Sequence, residues 1–294
     1  MVPFIHSASV FLIMSQLLNY YIICAVIQGI TEAFPISSSF HLMVYSQWVN
    51  AAIVPSKAIA AGLHAGSLLA LCLIFRHEFV SLWRGFFQHF GLKFGSNTGQ
   101  RAQDALFFNG IVLSGLGLIG GATVVYIMQR LFFDAFTLSL SAMAWVYIAF
   151  ALGMEWANRW QGNRLTQDPR FFSYKDSFLI GLSQVLAMLC SGVSRLGITV
   201  TVGRLLGHSL FTATRYSLIL GIPVLAGSIL FSLPEIVKNS PCVPIFTLIT
   251  SVTFLCSWPM FHIMLGLSRR ESTVPFTLYR ILLGILVIWM QAKR

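Results

Sequence analysis

The sequence predicts an all-α polytopic membrane protein, with six spanning helices plus two re-entrant broken-helix regions in an inverted-topology repeat. Three observations carry this. First, the chain of 294 residues holds 19 Lys and Arg and 9 Asp and Glu, 10% charged, while 56% is hydrophobic and mean hydropathy is +0.78. Soluble domains carry about 25% charge. So few charges cannot cover a water-facing surface, which excludes soluble, disordered and fibrous classes. Second, six apolar runs are each long enough to cross a hydrocarbon core of about 30 Å, without the period-two alternation of a barrel. Third, two more apolar stretches are cut by helix-breaking residues.

The elements follow in chain order. No Lys or Arg precedes the short apolar run Val10 to Met14, so the charged start of a signal peptide is not expected. The first broken region, near 17–54, is cut by Pro35 and Ser37-Ser38-Ser39. A span is expected near 57–75. Arg76 to Phe94 then mixes Phe and Trp with basic residues, as an interfacial amphipathic helix does. Gly95 to Gln100 reads as a polar loop, and spans follow near 105–128 and 135–152. The second broken region, near 175–208, is cut at Ser191-Gly192-Val193-Ser194. Spans near 212–233, 243–266 and 275–291 complete the chain. Each broken region is either one interrupted spanning helix or a pair that dips in and returns. Irregular backbone at membrane depth needs protein or a water-filled cavity to satisfy it, so both breaks are candidate sites.

The two breaks resemble each other. Ala25 to Leu42 lies without gaps on Gly181 to Ile198, an offset of 156 that pairs Gln28 with Gln184 and Ser38 with Ser194. Downstream, HAGSLLAL at His64 resembles LAGSILFSL at Leu225, an offset of 161. Two matches at nearly one offset point to a duplicated half, so residues 1–294 read as one integral membrane domain with halves near 17–154 and 174–291. Three crossings per half would invert the second half and bring the breaks together near the midplane. The net charge of +10 then reads as topology rather than as a nucleic-acid surface. Twelve basic residues, Arg76 to Arg270, fall on one expected face and five on the other, with Arg195 and Arg280 left over. The richer face is expected in the cytoplasm, with the first break opening to the periplasmic or extracellular side.

Of nine acids, eight are expected in or beside polar loops, and Glu32 alone sits inside an apolar stretch. An intramembrane acid is a functional candidate by default. Gln28, four residues earlier, shares its helix face. Beyond Pro35 come Ser37, Ser38, Ser39 and His41. The second break offers Ser194, Arg195 and Thr199, with Gly192 and Gly197 for close backbone approach. Arg195 presents a donor fork suited to phosphate oxygens, and the helix that starts there favours anions. Together these groups suit phosphoryl hydrolysis. Arg195 and loop amides would stabilise the equatorial oxygens, Glu32 and His41 would move the proton, and a nucleophile from the first break, or a water, would attack. A divalent metal on Glu32 and diphosphate oxygens fits, because magnesium takes few carboxylates plus phosphates. A membrane setting implies a lipid-linked substrate. His64 and His262 read as packing residues in spans, Arg280 as a snorkelling residue, and the five cysteines as apolar filler.

Gln28-Gly-Ile-Thr-Glu32-Ala-Phe-Pro35-Ile-Ser37-Ser38-Ser39-Phe40-His41 resembles the first motif of the bacterial undecaprenyl-diphosphate phosphatases, the bacitracin-resistance proteins. Ser191-Gly-Val-Ser194-Arg195-Leu-Gly197-Ile-Thr199 resembles the second, and Phe276 to Arg280 their ending. The resemblance implies hydrolysis of undecaprenyl diphosphate, a polyprenyl diphosphate lipid, to undecaprenyl phosphate and inorganic phosphate in the bacterial inner membrane. That recycles the carrier for peptidoglycan synthesis and gives bacitracin resistance. It also implies Mg2+ or Ca2+, with Glu32 and Gln28 as metal positions. The catalytic core it implies is Glu32, His41, Arg195 and Ser38. Substrate-binding residues would be Ser37, Ser39, Gly192, Ser194, Gly197 and Thr199. The nucleophile stays open among Ser38, His41 and water.

Four positions depart from the family pattern. Gln28 stands for a frequent Glu, Phe40 for Gly with a constricted site expected, Ser191 for Pro, and Leu196 for Ser. No nucleic acid is expected as a partner, and a homodimer is compatible with the architecture. The competing readings are a transporter or flippase for a lipid-linked anion, which broken helices also serve, and a catalytically impaired homologue.

Overall fold

Helices account for the regular structure of the computed structural model, which describes residues 3–49, 57–92, 97–132, 139–160, 172–238 and 243–293. In order these are α1 (Pro3–Thr31), α2 (Ser38–Trp48), α3 (Lys57–Ile74), α4 (Arg76–His89), α5 (Thr98–Phe132) and α6 (Leu140–Trp160). Then come α7 (Tyr174–Leu189), α8 (Arg195–Leu205), α9 (Leu210–Lys238), α10 (Val243–Ser268) and α11 (Val274–Ala292). Six of them, α3, α5, α6, α9, α10 and α11, hold segments long and apolar enough to cross a bilayer. The protein is a multi-pass membrane protein.

Burial is arranged for a lipid solvent. Leu116, Ile119, Trp145, Phe231 and Leu282 point outward, whereas Gln28, Glu32, Ser67, Thr253 and Arg280 are buried. Tails of lipid are as apolar as leucine, so helices associate through close packing and interhelical hydrogen bonds. At the α5–α7 contact, a Cβ on Gly181 would overlap the Ser114 backbone. The Ser114 hydroxyl donates to the Ser177 carbonyl across the same seam at 2.7 Å. Elsewhere α3 packs between α9 and α10, α1 on α10, and α11 on α6. The short α8 lies against α6, α7 and α9, with its second half clamped to the α10–α11 turn. There Arg204 donates to Glu271 at 3.1 Å, and Glu271 accepts from the Leu210 backbone N–H at 2.8 Å. His208 in the α8–α9 loop meets Asp176 at 3.2 Å and stacks on Phe172 at 3.9 Å. Burial pushes its imidazole below the ordinary histidine value, with Asp176 drawing it part of the way back.

Both breaks form where the sequence places them. α1 ends at Thr31, because residues before Pro35 are biased away from helical geometry. Ser37 sits at φ 63°, in the left-handed region, and caps α2 by accepting from Phe40 N–H. α7 ends into extended Cys190, and Ser194 caps α8 by accepting from Gly197 N–H at 3.1 Å.

Several expectations need correction. The third span is α6 over Leu140–Trp160, later than 135–152. Its polar last turns find partners in neighbours: Glu155 accepts from Arg159 and Thr273, and Asn158 Nδ2 donates to the Glu271 carbonyl. Part of the interval before it, 133–138, lies outside the described residues. The acids do not divide cleanly into loops and Glu32. Asp104 is buried in α5, with no partner among the described residues, and Glu78 is buried in α4 against Arg215. Arg280 does not snorkel: it is 0% exposed. Among the basic residues assigned to faces, Lys93, Arg164, Arg170 and Arg294 lie outside the described residues, as does Cys242.

Candidate active site

The site is assembled where the two breaks meet. Gln28 and Glu32 lie one turn apart at the end of α1, so both project to one side. Gln28 Nε2 donates to Glu32 Oε2 at 3.0 Å, and Ser38 Oγ donates to the same oxygen at 2.7 Å. From the other break, Arg195 Nη2 donates to Glu32 Oε1 at 2.8 Å. Every bond the carboxylate accepts therefore comes from a residue singled out in the sequence. Its side chain is 9% exposed, so this is a largely desolvated ion pair, held by donors on both oxygens.

Arg195 uses only part of its fork. Its Nη1 is buried and has no hydrogen-bond partner among the described residues. Room for the guanidinium comes from α9: a Cβ on Gly221 would lie 2.7 Å from Nη1 and 3.1 Å from Nη2. A buried cationic nitrogen without an acceptor is costly and suits a site built for an anion.

A cavity of about 220 Å³ opens beside this pair. Glu32, Ser37, Ser38 and Ser39 line it from the first break, and Val193, Ser194, Arg195 and Leu196 from the second. The N-termini of α2 and α8 thus converge on one chamber. Each end carries unpaired N–H groups and the positive end of a helix dipole, which favours an anion. The Ser37 hydroxyl donates to the Ser191 carbonyl and ties the two breaks directly.

The remaining sequence-chosen residues stand off the wall. His41 Nδ1 lies 2.8 Å from the Ser37 carbonyl, which only accepts, so the neutral ring carries its proton there. Its Nε2 then accepts from the Tyr279 hydroxyl at 2.7 Å, with the rings stacked at 5.7 Å. Thr199 donates to the Arg195 and Leu196 carbonyls at 3.0 and 3.1 Å. Gly197 is consumed in the α8 cap, and Gly192 offers its carbonyl to Arg280. Phe40 does not constrict the cavity, because it is buried against Tyr147, with ring centroids 4.2 Å apart.

Two residues read as structural take larger parts. His64 on α3 lines the cavity, its Nδ1 3.5 Å from Gln28 Nε2. Arg280 donates to the carbonyls of Pro35 at 3.0 Å, Tyr147 at 3.0 Å and Gly192 at 2.8 Å. It also lies over the Tyr147 ring at 4.0 Å. The signal for His64 was present in the internal match, which pairs it with Leu225; both residues line the chamber. Arg280 had no such signal beyond being an intramembrane cation.

For a divalent cation the donor set is thin. Among the described residues no three of His, Cys, Asp and Glu cluster as a cage. One carboxylate, Glu32, with Gln28 beside it, fits a magnesium-like ion only if substrate phosphates complete the shell.

Residues 21–286 match the family model described as bacitracin resistance protein BacA. The "Undecaprenyl-diphosphatase" of Hyphomonas neptunium is 30% identical over 272 residues, 91% of this chain and 94% of that one. "Undecaprenyl-diphosphatase 1" of Pseudoalteromonas translucida is 32% identical over 273 residues, 90% and 95%. The protein of the same name from Shouchella clausii is 32% identical over 280 residues, 92% and 95%.

Proposed function

Because the chain belongs to the bacitracin resistance protein BacA family, we propose that it hydrolyses undecaprenyl diphosphate to undecaprenyl phosphate and inorganic phosphate. The observation that carries this is the Ser38–Glu32–Arg195 constellation on the wall of a chamber where the N-termini of α2 and α8 converge, with Arg195 Nη1 left without an acceptor. The lipid carrier so regenerated would serve peptidoglycan synthesis, and its turnover would lower the target of bacitracin.

In this reading the terminal phosphate enters the chamber and meets the Arg195 guanidinium and the N-terminal amides of α2 and α8. Ser38 Oγ attacks the terminal phosphorus while Glu32 Oε2, already its hydrogen-bond acceptor, takes the proton. The bond from phosphorus to the bridging oxygen breaks, and Glu32 passes its proton to that leaving oxygen. Water then attacks the phosphoserine. Glu32 accepts the water proton and returns it to Ser38 Oγ as the second P–O bond breaks. Of the candidate nucleophiles, Ser38 is favoured over His41, whose ring nitrogens are both engaged away from the carboxylate. Glu32 and Gln28 would hold a divalent cation, Mg2+ or Ca2+, together with the diphosphate; when bound it neutralises charge on the phosphate oxygens.

The bacterial inner membrane is the proposed location, with the basic face in the cytoplasm and the cavity opening opposite. A homodimer is compatible with this arrangement. The test is phosphate release from undecaprenyl diphosphate by purified protein with magnesium or calcium, beside Glu32→Ala and Arg195→Ala. Release that both substitutions abolish is expected. No release by the unmodified protein sinks the reading and leaves transport of a lipid-linked anion. Equal release by the variants sinks the site.

A further inference from the structure

We propose that His64 is a substrate-contacting residue, its neutral imidazole donating from Nε2 to an oxygen of the diphosphate. The inference rests on the phosphatase reading of the same chamber and adds a residue to it. His64 comes from α3, outside both breaks, yet it lines the cavity with Glu32, Ser38 and Arg195. Its Nδ1 faces Gln28 Nε2 at 3.5 Å. Gln28 is buried, and the same Nε2 donates to Glu32 at 3.0 Å, so the amide presents its N–H side toward both neighbours.

An amide nitrogen only donates, so Nδ1 must be the accepting nitrogen of the imidazole. The ring proton is then on Nε2, and Nε2 has no hydrogen-bond partner among the described residues. His64, which lines the chamber with Arg195, thus carries a donor without an acceptor. Arg195 hangs from α8 and His64 from α3, so the two donors reach the cavity from different walls. A tetrahedral phosphate has oxygens to meet both. The role asked of His64 is a fixed hydrogen bond rather than a charge, and an amide of similar reach can supply it in part.

Two measurements decide the matter. The first compares kcat/KM for undecaprenyl diphosphate in the unmodified protein, His64→Leu and His64→Gln. Loss of one preorganised donor costs about 10²-fold. That loss is expected for His64→Leu, with His64→Gln recovering at least about tenfold of it. The second uses the unmodified protein: diethyl pyrocarbonate modification of each histidine, mapped by mass spectrometry with and without inorganic pyrophosphate. Pyrophosphate should slow modification of His64 and leave His77, exposed on α4, unchanged. Full turnover by His64→Leu, or equal modification of His64 with and without pyrophosphate, overturns the proposal. If His64→Leu fails to fold, the modification rates decide alone. If the unmodified protein releases no phosphate, the phosphatase reading fails, and pyrophosphate protection still decides whether His64 meets a diphosphate.

Discussion

At the scale of single residues, the site turns on how one guanidinium is shared. Arg195 gives one nitrogen to Glu32 and keeps another free. Lysine is a point charge and cannot do both. Arg195→Lys is therefore expected to lower kcat by about 10²- to 10³-fold, with little change in thermal unfolding. The measurement is phosphate release beside a melting curve in the same detergent. Gly221 offers a complementary test from outside the motif. Its absent side chain makes space for Arg195, so Gly221→Ala should push the guanidinium off Glu32. Activity should fall with Arg195 still present, and a rate equal to the unmodified protein's would show that the guanidinium tolerates displacement.

The element scale concerns how two broken helices are held against each other. Arg280 on α11 bonds a carbonyl in each break, Pro35 and Gly192, and a third on α6, Tyr147. Ser37 reinforces this by donating to Ser191. Arg280→Leu would orphan three buried carbonyls at roughly 1–3 kcal/mol each. Its expected signature is a large drop in melting temperature together with lost activity, whereas Arg195→Lys should lose activity alone. Legibility in the sequence divides along the same line. Glu32, Ser38 and Arg195 stood out because polar groups at helix breaks inside apolar sequence are costly locally, and local cost is visible in local composition. Arg280's burial and His64's place on the chamber wall were not legible, because both depend on which helices cross over them. A histidine in a span looks alike whether it faces a neighbour or a chamber. An arginine near a span's start looks like a snorkelling one until the first break, α6 and the second break cover it. The end of α6 was misplaced for a related reason: besides the local Arg159, Glu155 accepts from Thr273, and Asn158 donates to the Glu271 carbonyl, and those two partners lie beyond position 270, outside any window around them.

The whole molecule sets what the site can be asked to hold. No cage of three or more metal-ligating side chains occurs among the described residues. A cation that arrives with the diphosphate should then matter to turnover and not to folding. Chelation is expected to stop phosphate release and leave the melting temperature unchanged. A melting temperature that falls with chelator would instead reveal a resident structural ion. The outward apolar side chains and buried polar ones also explain why composition alone was enough to assign the class. In a bilayer the usual division of inside and outside is replaced by lipid on one side and hydrogen-bonding partners on the other.

The size of the chamber has one more consequence. At about 220 Å³ it is smaller than the clefts of about 300–1,000 Å³ that enclose a drug-sized ligand. It holds a headgroup and leaves a long isoprenoid outside in the lipid. On the proposed reading, the described lining of the chamber therefore offers no ruler for tail length. A water-soluble prenyl diphosphate of a few isoprene units, offered above its KM, should turn over at nearly the rate of the full carrier. Any preference would show up in how each substrate partitions into the bilayer, and a steep fall in kcat with shortening would require a second, tail-reading surface.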